Sequence, residues 1–328
     1  MFGTYLLISL YYFSIGNVYY YKSSLKTIQI IGKSLYKYYF TVKQLAFMDQ
    51  NEKEFSKKTA ISSVTVEAHL ENNLKGKVNH SVCRWCYDSI PLEDLCKAAK
   101  EIGISGIDLV GPDEWPILKK HELFCALPHG AGKGITAGFN DLNLHNELVT
   151  SYESLIPKVA AAGYNQIICF SGNRNGLDDE RGIKNCAIGL KRLVNIAEKH
   201  KVTLVMELLN SKVDHPDYQC DHTKWGAALC DEVGSERFKL LYDIYHMQIM
   251  EGDVISTIQE YSKYIAHYHT GGVPGRNEID STQELNYPAI IKSILETGFK
   301  GYIAQEFVPT RADKLASLQQ GVQICDVG

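Results

Sequence analysis

No aspartate or glutamate occurs before Asp49, although the chain of 328 residues carries 38 of them. The first 48 residues hold five lysines instead (Lys22, Lys26, Lys33, Lys37 and Lys43) and nine of the twenty tyrosines. Everything after Met48 has 29 basic against 38 acidic side chains. A jump of that size marks a boundary. No basic excess exists overall either: the net charge of −4 excludes a general attraction to nucleic acid or an anionic membrane. Proline is scarce, at 9, while 45% of residues are hydrophobic, which excludes a disordered chain. Nor is there a clean hydrophobic span. Met1 to Tyr21 is apolar, but Gly3, Ser9, Ser14, Gly16 and Asn17 interrupt it, and it lacks a basic n-region. Three readings of residues 1–48 stand: a targeting or anchoring segment, a start site that belongs at Met48, or a structured extension. The protein is cytoplasmic if it starts near Met48, and meets a membrane only if residues 1–21 are a retained anchor. Residues 49–77 are polar and read as a linker.

Cysteines number nine, an odd count with no framework. Cys83 and Cys86 form the one CxxC spacing, and no second pair stands where a structural zinc site would need it. Cys83, Cys125 and Cys169 fall in strand-like apolar runs, where cysteine acts as a small hydrophobe. A reducing compartment fits this usage. The glycines of Gly130-Ala131-Gly132-Lys133-Gly134 lack the Walker spacing and a Ser/Thr after the lysine, so they read as a flexible rim loop.

From residue 78 onward, short apolar runs alternate with amphipathic ones. Strands are expected at 78–85, 106–110, 122–127, 166–170, 202–207, 238–243, 265–269 and 301–306. Helices are expected at 92–102, 113–120, 146–162, 179–200, 223–233, 253–264 and 287–297. Eight such alternations over about 230 residues match an α/β fold, a (β/α)8 TIM barrel spanning 78–328 as a single domain behind its N-terminal extension. A doubly wound sheet would place a Gly-rich phosphate loop after its first strand. Here that place holds Trp85-Cys86-Tyr87-Asp88.

Active sites of such barrels lie at the C-terminal strand ends. Strand five ends at Glu207, strand six at Asp243, strand seven at His269 and strand eight at Glu306. Clustered carboxylates repel unless a cation neutralises them. Three carboxylates and an imidazole suit one divalent ion, Mn²⁺, Mg²⁺ or Co²⁺, better than a thiolate-type zinc.

The stretch Tyr242-Asp243-Ile244-Tyr245-His246-Met247-Gln248-Ile249-Met250-Glu251-Gly252 resembles the signature of the hydroxypyruvate isomerase family, within the xylose isomerase-like barrels. Ile265-Ala266-His267-Tyr268-His269, Gln305-Glu306-Phe307-Val308-Pro309 and Met206-Glu207-Leu208-Leu209-Asn210 match more loosely. The resemblance covers residues 78–310. It implies Glu207, Asp243, His269 and Glu306 as metal ligands, Glu207 and Glu306 as the catalytic acid/base pair, and His246 and Arg276 as contacts for substrate oxygens. The implied activity is conversion of hydroxypyruvate to tartronate semialdehyde, by proton transfer between the two glutamates through a metal-stabilised enediolate. His269 departs from the pattern. Bacterial hydroxypyruvate isomerases tend to have glutamine there, whereas the related ketose 3-epimerases have histidine, so a ketose 3-epimerase or other sugar isomerase is the alternative.

His129, after strand three in Leu127-Pro128-His129-Gly130, is a further substrate-binding candidate or else structural, and Trp85, at the end of strand one, either walls the pocket or is a core aromatic. The loop 210–222 (Lys212, Asp214, His215, Asp217, Asp221 and His222) completes a second metal site, closes over substrate or is simply solvated. An apurinic-site nuclease would need three zinc ions, more histidines and a basic surface. A non-catalytic binding barrel would not need four potential metal ligands at four strand ends. The expected partner is therefore a small-molecule substrate and not nucleic acid, and a homo-oligomer is compatible with the sequence.

Overall fold

The computed structural model describes residues 74–328, so the extension 1–48 and the linker as far as residue 73 lie outside the described residues. Eight strands form one parallel sheet: β1 (Asn79–Cys83), β2 (Gly106–Asp108), β3 (Phe124–Cys125), β4 (Gln166–Cys169), β5 (Thr203–Glu207), β6 (Phe238–Asp243), β7 (Ile265–Thr270) and β8 (Tyr302–Gln305). The ladder order is β3-β2-β1-β8-β7-β6-β5-β4. The pairing of β1 with β8 curls the sheet into the barrel, as the alternation of strands and helices predicts. Around it run α1 (Leu92–Ile102), α2 (Trp115–Lys120), α3 (His145–Ala161), α4 (Asp179–His200), α5 (Thr223–Val233), α6 (Ile244–Met250), α7 (Val254–Tyr261), α8 (Tyr287–Glu296) and α9 (Lys314–Cys325).

Two helices are additions to the expected set. The signature after Asp243 coils at once into α6, because the Asp243 carboxylate caps it by accepting from the His246 backbone N–H. Gly252 (φ 65°) and Asp253 (φ 40°) then break the chain before α7. The second addition, α9, packs against α8 and α1. Strands one and three are shorter than expected. A 3-10 turn at Arg84–Tyr87 takes over after Cys83, and the left-handed Glu122 (φ 54°) delays β3.

β3 and β4 share no ladder. The gap is crossed by one bond from the Ile168 N–H to the Pro128 carbonyl, and the chain leaving β3 then lies along β4: Phe139 donates to Phe170 and Asn140 to Ser171. Such proximity needs glycine. A Cβ on Gly138 would stand 2.4 Å from the Phe170 oxygen, and one on Gly130 would stand 2.3 Å from the Ile168 oxygen. The glycine loop is thus packed against the barrel at Gly130 rather than free along its whole length.

All nine cysteines are free and buried, consistent with the packing role read from the sequence. Among the described residues no helix is long and apolar enough to cross a membrane.

Candidate functional site

Strand register assembles the site. Asp243 on β6 lies directly opposite His269 on β7, and this alignment depends on a shift in pairing. Leu240 pairs with Ile265, yet Leu241 pairs with His267, leaving Ala266 as the extra residue. Without that bulge Asp243 would face Tyr268. The Ala266 carbonyl accepts instead from the Gln166 side chain at 3.0 Å. Glu207 closes β5, and Glu306 follows β8 with its N–H donating to the Thr270 carbonyl.

The four expected ligands come together. One ligand atom from each of Glu207, Asp243, His269 and Glu306 lies within 4.8 Å of the others, and all four side chains are buried. His269 Nδ1 stands 2.6 Å from Glu306 Oε2 and 3.5 Å from Glu207 Oε1. Three buried carboxylates strain one another electrostatically. Burial, with Glu306 and Glu207 nearby, pushes Asp243 up to about 8 against the pull of Arg276. Burial also raises Glu207. Glu306 is opposite: burial alone would raise it, but His269 and Arg276 hold it well below the usual carboxylate range. A set of oxygen donors with one imidazole, sharing more negative charge than burial tolerates, fits a divalent cation.

Arg276 is the nearby positive charge. Its Nη2 lies 2.6 Å from Glu306 Oε2 and 3.2 Å from Asp243 Oδ2. The guanidinium carbon sits 5.2 Å from the Trp85 ring and 5.3 Å from the Tyr245 ring, so two aromatic faces hold it. Its backbone is left-handed (φ 57°), which costs a non-glycine residue roughly 1–2 kcal/mol. The Gly272 carbonyl and the Val308 N–H, bonded to the Arg276 backbone, hold it there. Trp85, 39% exposed, also donates its indole N–H to Glu306 Oε1 at 2.7 Å and so walls the site from β1.

His246 is wholly buried, and its protonation follows from its neighbours. The Asn210 side-chain oxygen accepts from the backbone N–H groups of Val213 and Asp214, which leaves its NH₂ to donate to His246 Nδ1 at 2.6 Å and to Asp214 Oδ2 at 2.7 Å. Nδ1 is therefore an acceptor and Nε2 carries the proton. Burial and Arg276 hold the ring well below its usual pKa, so it is neutral. That Nε2–H has no protein partner and lies 3.8 Å from Asp243 Oδ2. It is a donor waiting for an oxygen.

His129 stands apart from this group. It is exposed, its backbone N–H bonds to Val110, and the charged side chain that bears on it is Glu114. In the loop 210–222, Asp214 joins the Asn210 bond and the His215 ring lies 5.2 Å from that of His246, while Asp221 is tied to Arg174, Ser211 and His222. Sequence reasoning missed Asp108, the wholly buried last residue of β2. The strand-end rule that singled out Glu207 and Asp243 applies to it equally.

A family model described as xylose isomerase-like TIM barrel matches residues 96–324. The 2-oxo-tetronate isomerase of Cupriavidus necator is 38% identical over 124 residues, covering 38% of this chain and 46% of that protein. The hydroxypyruvate isomerase of Escherichia coli is 31% identical over 150 residues, covering 45% of this chain and 57% of that protein. The chain thus spans about half the length of these curated relatives. A crystal structure described as an AP endonuclease, family 2, from Brucella melitensis superposes with a TM-score of 0.68 at 21% identity, over 75% of this chain and 99% of that one, which is a likeness of fold.

Proposed function

Because the chain belongs to the xylose isomerase-like TIM-barrel family, we propose that it is a metal-dependent isomerase of a small hydroxy-carbonyl acid, converting hydroxypyruvate to tartronate semialdehyde. The observation that carries this is the convergence of Glu207, Asp243, His269 and Glu306 from four consecutive strand ends. These four would hold the ion. Bound there, a divalent cation would supply Lewis-acid polarisation of the substrate oxygens.

The chain's own residues account for the rest. A 3-hydroxy-2-oxo acid offers a carboxylate, a carbonyl and a hydroxyl in a row. The Arg276 fork suits the carboxylate, and the neutral His246 Nε2–H suits an oxygen beside it. Isomerisation removes a proton from C3 and delivers one to C2, while the hydroxyl proton moves from O3 to O2. No oxidant is needed. Glu207 and Glu306 suit the two proton transfers because their surroundings push them apart, one toward holding a proton and the other toward ionisation. Trp85 and Tyr245 flank Arg276 and hold its guanidinium in position for an anion.

The names of the relatives support this substrate class, since hydroxypyruvate and 2-oxo-tetronate share the 3-hydroxy-2-oxo acid unit. A ketose 3-epimerase is the second reading, favoured by the histidine at 269. Turnover by Mn²⁺-, Mg²⁺- or Co²⁺-loaded protein, assayed on hydroxypyruvate, 2-oxo-tetronate and a panel of ketoses, decides between them. Ketose conversion without acid conversion overturns the first reading, and no conversion of any kind overturns both. Glu207→Gln and Glu306→Gln keep shape but cannot take up a proton. Each should lose at least about 10²-fold in turnover. Near wild-type turnover in both would rule out the two-glutamate shuttle.

A further inference from the structure

β7 places two imidazoles on one face of its pleat, His267 and His269, with ring centroids 5.2 Å apart. Across the barrel, β2 ends at Asp108, beside Cys83 in the β1 register, and Leu109 turns left-handed (φ 59°) directly after it. All of these side chains except Leu109 are wholly buried. Asp108 Oδ2 lies 2.5 Å from His267 Nε2 and 3.4 Å from His269 Nε2. The other neighbour of His269 Nε2 is the Cys83 sulfur at 3.6 Å. Asp108 is thus a single carboxylate between two rings and, among the described residues, the one charged acceptor within reach of His269 Nε2.

An imidazole has two nitrogens, and one must be stripped of its proton to bind a metal. The nitrogen of His269 that faces Glu207 and Glu306 is Nδ1. We infer that Asp108 is a positioning residue, a buried carboxylate that accepts the His269 Nε2–H and so leaves Nδ1 free to bind the ion. His267 completes the device. Its Nε2–H donates to the same oxygen and fixes Asp108 from the side away from the ligand cluster. The assignment rests on the metal reading of Glu207, Asp243, His269 and Glu306, none of which is altered in the test.

The experiment measures Co²⁺ affinity and stoichiometry of the full chain by competition with a chromophoric chelator, with thermal unfolding of the metal-free protein alongside. Wild type should bind one ion, and Asp108→Asn should bind one ion about 10- to 100-fold more weakly, the usual consequence of losing a hydrogen-bonded support behind a metal ligand. Its metal-free unfolding temperature should stay near wild type, separating loss of orientation from loss of fold. If Asp108→Asn does not fold, His267→Gln probes the same clamp from its other arm, and weaker Co²⁺ binding is again expected. Wild-type affinity in whichever variant folds overturns the inference alone. Two ions in wild type and one in Asp108→Asn would make Asp108 a direct ligand and also overturn it. No Co²⁺ binding by wild type overturns the metal reading and this inference together.

Discussion

At the scale of the residue, the site is a balance of buried charge. Asp243 matters most in it, because it faces Arg276, caps α6 and stands opposite His269. Asp243→Ala should greatly lower divalent metal content, measured by elemental analysis, while the barrel still folds. Unchanged stoichiometry in that variant would remove the basis for assigning the ligands. The sequence made these four residues legible because each ends a strand, and strand ends can be read from where an apolar run stops. Asp108 and Asn210 were harder to see. The apolar run at 106–110 reads on past Asp108, where the strand actually ends, and Asn210 reaches the site through a hydrogen bond to a ring 36 positions away.

At the scale of the element, the loops behind the strands carry the specific bonds. Glu278, in the segment between β7 and α8, accepts from the Thr310 N–H and hydroxyl, the Arg311 N–H and the Ser317 hydroxyl, tying that segment to the start of α9. Burial opposes its charge, but these bonds and its own backbone bring it down to about 2 from an ordinary 4.5. Because the folded value is depressed, the stabilisation is complete above about 4.5 and fades as the pH falls through about 2. Glu278→Gln should therefore be less stable than wild type at pH 7, with the gap closing toward pH 2 in denaturant titrations. A gap independent of pH would mean that packing, not charge, makes Glu278 matter. Element order was legible because hydrophobic period and length separate strand from helix. The bulge at Ala266 and the helix after Asp243 were not, since pairing register and a capping carboxylate depend on the partner strand and on geometry.

At the scale of the molecule, residues 74–328 contain all eight strands and every side chain of the candidate site. A chain beginning at Asp49 should melt in one cooperative transition by circular dichroism. Loss of that transition would make the first 48 residues part of the core.

The barrel's asymmetry has a consequence for redesign. The four candidate ligands belong to β5 through β8, one contiguous half, whereas β1 to β4 lend the site Trp85 from behind β1 and the carboxylate of Asp108. The two halves meet through full ladders at β1–β8 and β4–β5, and the gap at β3–β4, bridged by the bond from Ile168 to Pro128, falls inside the first half. Transplanting the loops that follow β3 and β4 from a relative should therefore leave the four candidate ligands in place, since none of them comes from those loops. The residues gathered at the site, Arg276 and His246 as well as the four candidate ligands, come almost wholly from one half of the barrel, so changes confined to the loops after β3 and β4 replace none of them.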